Sequence, residues 1–245
     1  MNTNSNVYTV IYTTLICVIV AAVLAFASQS LKPRQDANEK AETIRQILTA
    51  ARFDFNASSN DAILDFYKSN IAEAILVDAG GQKVGTLDTK TAQIYGVSDL
   101  KAQNYKIKGE ADYSLPVYIF QNGTTVLPVY GAGLWGPVWG YIALDSSCTR
   151  IAGAYFDHES ETPGLGGKIK DDPEFRAQFA GKTVNTADEV PFHIVKGGAP
   201  AGQTNAIDAI SGATMTSKGL DEAINIWLKA YANYAAAANN TTEEE

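Results

Sequence analysis

The sequence of 245 residues holds only two cysteines and two histidines. Cys17 lies inside a long apolar run and Cys148 far downstream, and neither belongs to a CxxC pair, so there is no disulfide framework to read. Both are expected to act as small hydrophobes. With His158 and His193 as the whole histidine complement, a histidine-rich metal site is excluded. Charge is scarce too: 19% of residues are charged, the net charge is -8, and no basic patch stands out, which speaks against a nucleic-acid partner. The glycine pattern GxxxxGK[ST] is missing, and GAGLWG (131–136), the GxGxxG match, lacks the strand–helix alternation of a dinucleotide-binding fold around it.

What is present starts near the N-terminus. VYTVIYTTLICVIVAAVLAF, residues 7–26, is a run of twenty residues without charge, Pro or Gly, matching the hydrocarbon thickness of a bilayer. Tyr8 and Tyr12 sit near one end, where interface aromatics belong. A cleaved signal peptide is the other reading of such a run, with AFASQS as the cleavage site. The basic n-region is missing, however, and the run is long for an h-region, so a retained single-pass anchor is expected. Lys32 and Arg34 follow the run while no Lys or Arg precedes it; by the positive-inside rule alone the large domain would stay in the cytoplasm.

Beyond the anchor, Ile44, Ile47, Leu48 and Ala51 recur at helical spacing and predict a helix continuing past the membrane. SSNDAILDFYKSNI reads as a turn and a short helix starting near Asn60 or Asp61. AEAILVDAGGQKVGTL reads as two strands about a Gly-Gly turn, and LPVYIFQNGTTVLPVYG as a hairpin about Asn122-Gly123. The mixed polar stretch 88–112 gives no assignment. TRIAGAYFDH and VPFHIVKGG are strand candidates, HESETPGLGGKIKD is expected to be irregular, and Pro173 opens a short helix. A last helix starting around Thr216 to Lys218 carries Leu220, Ala223, Ile224, Trp227, Leu228 and Tyr231 on one stripe. The fold class is therefore α+β: an antiparallel sheet with packed helices behind one N-terminal membrane helix. The expected division is an anchor at 1–30, a juxtamembrane helical segment at 31–70, the α+β domain at 71–238, and a polar tail at 239–245.

Just ahead of the last helix stands DAISGATMTSKG, residues 208–219, rich in glycine and hydroxyl side chains. On its own it reads as a helix cap. The same features also suit an anion, because a helix N-terminus presents free amides and a favourable dipole, and Gly212 and Ala213 let a large group approach the backbone. No base or triad accompanies Thr214 in sequence, so a self-activated nucleophilic threonine is not supported.

The stretch Asp208-Ala209-Ile210-Ser211-Gly212-Ala213-Thr214 resembles the flavinylation motif of FMN-binding domains in respiratory membrane complexes. GAGLWGPVWGYIAL (131–144) and ETPGLG (161–166) are similar to the family's other signatures. Together with the single membrane helix, these resemble the C subunits of sodium-translocating NADH:ubiquinone reductases over nearly the full length. The G subunits of Rnf-type complexes are the nearest relatives to be confused with them. The resemblance implies covalent FMN, attached through a phosphoester to Thr214 by a separate flavin transferase, with Asp208, Ser211, Gly212 and Ala213 serving recognition or geometry. It makes ETPGLG the ring-side loop: Thr162 a hydroxyl, Gly164 and Gly166 close backbone approach, Leu165 apolar cover. Trp135 and Trp139 are candidates for the flavin environment or for plain packing, and Lys168 for a flavin oxygen or phosphate. The implied partners are the other membrane and redox subunits of the complex, which would hold the NADH and quinone sites. The implied location is the bacterial inner membrane with the large domain on the periplasmic side. The different reading of the same chain is an anchored interaction domain without redox function.

Overall fold

The computed structural model of the chain describes residues 6–55 and 59–243. Met1–Ser5 of the expected anchor, Ser58 of the expected turn, and Glu244 and Glu245 of the expected tail lie outside the described residues. Two compact units are present, Met1–Lys40 and Ala41–Glu245. In the first, helix α1 (Asn6–Ala50) carries a stretch of mean hydropathy 2.7 and is long and apolar enough to cross a membrane.

The second unit begins with the last turns of α1. Ile44, Ile47 and Leu48 are fully buried there, at the helical spacing read from the sequence. The helix closes on Phe53 N–H donating to Leu48 C=O (3.1 Å) and Arg52 N–H to Thr49 C=O (3.0 Å), with Arg52 at φ 58°. Helix α2 (Asn60–Asn70) follows, capped by the Ser59 hydroxyl.

Six strands form an antiparallel sheet: β1 (Ile71–Val77), β2 (Lys83–Thr86), β3 (Leu115–Phe120), β4 (Thr125–Ala132), β5 (Pro137–Leu144) and β6 (Ile151–His158), in the order β2-β1-β3-β4-β5-β6. The Asn122-Gly123 turn joins β3 to β4, with Gly123 at φ 82°. Alternation divides the sheet's side chains between two cores. Val117, Leu127, Val129, Val138, Ile142 and Leu144 face one, while Tyr118, Phe120, Val126, Tyr141 and Ala143 face the other with the end of α1 and with α2. Because both faces are covered, β4 is apolar along nearly its whole length.

The first core is closed by α3 (Val97–Lys108), the short helices α4 (Lys168–Asp171) and α5 (Pro173–Ala177), and α6 (Thr214–Ala230). The α6 stripe Leu220, Ala223, Ile224, Trp227, Leu228 and Tyr231 is buried as the periodicity requires. Trp227 Nε1–H donates to Asn104 Oδ1 at 3.1 Å, so the largest buried side chain has its polar atom satisfied. At Gly219 a methyl group would lie 2.1 Å from the Ala132 carbonyl oxygen. That absence of a side chain lets the first turns of α6 press against the end of β4. Two further strands, β7 (His193–Val195) and β8 (Ala206–Asp208), pair in parallel.

The structure differs from the sequence reading at several places, among them β8, which no sequence pattern marked. The unassigned stretch contains α3, whose inward face is Leu100 together with the amides Gln103 and Asn104, so no apolar period marks it. Helix α6 starts at Thr214, before the expected Thr216 to Lys218, because Ser217 N–H already bonds Ala213 C=O and the first turn is built from hydroxyl residues. The polar tail is in large part helix, α7 (Ala232–Glu243), which buries Ala235 and ties Asn233 Nδ2 to Ala79 C=O at 2.8 Å. One turn of helix, α4, ends the segment expected to be irregular. Both cysteines are free, and burial pushes the Cys148 thiol up to about 12, as suits an inert core residue.

Candidate functional site

The DAISGAT segment runs from the end of β8 into the start of α6. Gly212, at φ 81°, makes the left-handed turn that a side chain would resist. Ala213, buried and small, is the N-cap, and Thr214 is the exposed first residue of the helix. The amides of Thr214, Met215 and Thr216 have no acceptor among the described residues, so the positive end of α6 faces outward beside the Thr214 hydroxyl.

Parallel pairing of Val195 with Asp208 brings a second loop to the same place. Lys196, Gly197 and Gly198 line a pocket of about 430 Å3 together with Asp208, Ser211, Gly212 and Thr214. The Asp208 carboxylate accepts from Ala199 N–H at 2.7 Å, and its own N–H donates to Gln178 Oε1 at 2.9 Å. In this structure Asp208 therefore clasps the glycine loop. Lys196 is exposed and forms no ion pair among the described residues. Sequence reading put Lys196, Gly197 and Gly198 at the end of the strand candidate VPFHIVKGG and missed the loop; the paired glycines were the available signal.

The ETPGLG loop meets the DAISGAT turn directly, since a methyl on Gly212 would stand 3.1 Å from Leu165 Cδ2. The Thr162 carbonyl accepts from Leu165 N–H (3.1 Å) and Gly167 N–H (3.0 Å), folding the loop so that Thr162, Gly164 and Leu165 are all exposed. Beneath them lies Glu161, a buried carboxylate that the sequence reading gave no role. Its Oε2 accepts from Thr216 Oγ1 at 2.6 Å and its Oε1 from Trp135 N–H at 2.8 Å. The carboxylate fills space that side chains elsewhere would occupy: a methyl on Gly133 would lie 2.4 Å from Oε1, and one on Gly166 2.3 Å from Oε2. Two glycines from two signatures are thus explained by one buried acid.

A second polar cluster backs this one. The Glu161 N–H donates to His158 Nδ1 at 3.1 Å. Next to it the buried Asp157 accepts from Gln46 Nε2 (2.8 Å), His158 N–H (2.8 Å) and Lys170 Nζ (3.0 Å). Burial opposes the Lys170 charge, but the hydrogen bond and charge of Asp157 hold its pKa above the ordinary lysine value. Trp139 belongs to this cluster, donating from Nε1 to Gln46 Oε1 at 3.4 Å, whereas Trp135 is exposed. Lys168 opens α4 and does not line the pocket.

Leu134, Trp135, Leu165 and Met215 are 45–66% exposed, although each belongs to one of the segments gathered around Thr214. Exposed apolar groups beside free amides and an unpaired lysine fit a ligand with a flat apolar ring and an anionic phosphate. FMN has both parts, so the residues present fit it.

The comparisons with known proteins agree with that chemistry. A family profile described as FMN-binding domain matches residues 133–229. The chain is 30% identical over 227 residues to the C subunit of the Na(+)-translocating NADH-quinone reductase of Vibrio vulnificus, covering 87% of this chain and 86% of that one. It is 32% identical over 232 residues to the C subunit of the Pasteurella multocida reductase, with the coverages again 87% and 86%. Among solved structures, the C subunit of the Parabacteroides distasonis reductase superposes with a TM-score of 0.70 at 34% identity, over 84% of this chain and 96% of that one. Shewanella oneidensis NqrC, at 23% identity and a TM-score of 0.66, shares the fold.

Proposed function

This chain belongs to the family of Na(+)-translocating NADH-quinone reductase C subunits, and from that membership we propose that it carries FMN covalently on Thr214 and relays electrons between redox centres of partner subunits. One observation supports the attachment residue above the rest: Thr214 is exposed at the start of α6, beside three unpaired amides and within one pocket with Lys196.

When bound, FMN supplies the redox chemistry of the protein. The protein's part begins with maturation. Thr214 Oγ1 loses its proton and takes the FMN phosphoryl group from FAD, with AMP as leaving group, in a step run by a flavin transferase. The neighbours share the remaining work. Ser211 is exposed for recognition, Asp208 holds the glycine loop in place, and Gly212 and Ala213 leave room for the modified hydroxyl. The amides at the start of α6 and Lys196 stabilise the phosphate charge. Leu165 covers the ring, with Thr162 and Gly164 shaping its loop. After attachment Thr214 is a tether without a catalytic role.

The single membrane helix fits an anchor in the bacterial inner membrane, with residues 1–30 as the anchor and 31–70 as the segment leading to the FMN-binding domain at 71–238. We place that domain on the periplasmic side, following the family over the weak basic bias after the helix. A readout that needs no complex tests the attachment. After coexpression with the flavin transferase, native protein and Thr214→Ser fluoresce on a denaturing gel and Thr214→Ala does not, while its circular dichroism stays native. FMN mapped by peptide mass to another residue, or full labelling of Thr214→Ala, defeats the assignment.

A further inference from the structure

We propose that a second pocket, between the end of α1, strand β6 and helix α5, binds a small phosphate-bearing anion through Arg52 and Arg176. The pocket has a volume of about 310 Å3, is lined by Thr49, Arg52, Gly153, Ala154, Pro173 and Arg176 among others, and shares no lining residue with the pocket beside Thr214.

Strand geometry sets the two arginines side by side. Gly153 and Tyr155 are two residues apart on β6, so they share a face about 7 Å from each other. The Arg52 stem lies on the first: a methyl on Gly153 would come within 2.7 Å of Arg52 Cγ. The Arg176 guanidinium lies over the second, 4.9 Å from the Tyr155 ring centroid. Neither arginine forms an ion pair among the described residues, and Arg176 Nε is buried without an acceptor. The carboxylate that follows on the same face, Asp157, is engaged by Lys170, and Glu42 by Arg45. Two arginines lining one pocket and one idle buried donor call for a polyvalent oxyanion, and the dianionic phosphate group matches both their charge and their forked donors.

Backbone conformation adds an independent argument. Arg52 occupies the position after α1 where the chain turns left-handed, at φ 58°. Glycine is the usual residue there because a Cβ is disfavoured. The helix dipole offsets part of that cost for a cation, and the arginine at this turn puts a positive charge in the lining of the pocket.

Full-length protein in detergent is titrated with inorganic phosphate by calorimetry, against chloride at equal ionic strength. Native protein is expected to bind phosphate. Arg52→Gly should melt at the same temperature or higher in chloride, since glycine suits the turn, yet lose affinity by at least about tenfold, as removal of a charge-assisted pair requires. Arg176→Gln should show the same loss. Phenyl phosphate separates the sources: tighter binding than inorganic phosphate identifies an organic phosphomonoester, and equal or weaker binding identifies the free ion. The proposal is overturned if native protein binds no phosphate. It is equally overturned if Arg52→Gly keeps native affinity and stoichiometry, as it would were the anion held at the start of α6 instead.

Discussion

The hydroxyl of Thr216 donates to the buried carboxylate of Glu161 across 2.6 Å, joining positions separated by 55 residues in the chain. Through its other oxygen Glu161 holds the backbone of Trp135. Segments 131–144, 161–166 and 208–219 are thus pinned to one another beneath the exposed Thr214. A buried acceptor with two donors is costly to disturb, because each donor left behind is also buried or constrained.

Substitutions at Glu161 should grade accordingly. Glu161→Gln can still accept from Trp135 N–H while its amide faces the Thr216 hydroxyl, which can accept in turn. A loss of about 1–2 kcal/mol is expected. Glu161→Leu strands both donors and should cost about 3 kcal/mol or more. Urea denaturation of the unflavinylated protein measures both, and equal costs for the two would show that the carboxylate does not hold the loops. Within the same hub, Gly166→Ala places a methyl 2.5 Å from Thr216 Oγ1 and should destabilise by overpacking, about 1–3 kcal/mol. Gly164→Ala in the same loop has open space around it and meets only its positive φ of 75°, for about 1–2 kcal/mol.

Leu165 is exposed where its loop meets Gly212. If it covers the flavin ring, Leu165→Ala leaves Thr214 flavinylated but lets water reach the ring. Flavin fluorescence and midpoint potential should both change, since the charged forms of the flavin gain from hydration. Native values for both in a folded, labelled variant would place the loop away from the ring.

The Lys170–Asp157 pair makes a prediction about pH. The folded pKa of Lys170 lies above its unfolded value, so its contribution is fully present below the unfolded lysine range and is lost as pH rises through the folded value. Lys170→Gln should therefore lower the melting temperature by a constant amount from about pH 7 to about pH 9, and the gap should close above about pH 10.5. Because the lysine side chain is 39% exposed, solvent screens the pair and the expected cost near neutrality is about 1–2 kcal/mol. A gap unchanged up to the alkaline limit of folding would mean that lost packing, and not charge, sets the cost.

The long elements were legible because their periodicity is local. The twenty-residue run 7–26, the Asn122-Gly123 hairpin and the α6 stripe each need only their own residues to be recognised. α3 escaped because it turns Gln103 and Asn104 inward, and only the arrival of Trp227 Nε1 at Asn104 makes that amide a good interior residue. β8 escaped because three residues are too few to show a periodicity.

By itself the sequence determined an apolar run long enough to cross a membrane, the α+β class and the DAISGAT segment on which the proposal for Thr214 rests, because bilayer thickness, side-chain alternation and a contiguous segment are all written along the chain. Tertiary structure decided what surrounds that threonine. Lys196 and the glycine loop reach it only because β7 and β8 run parallel. Glu161 becomes a hub only when the turn between β4 and β5, the loop after β6 and the start of α6 converge, and Arg52 and Arg176 line one pocket only beside β6. Contacts between residues far apart in the chain depend on the packing of elements whose own patterns do not name their partners, and so they could be read only from the folded molecule.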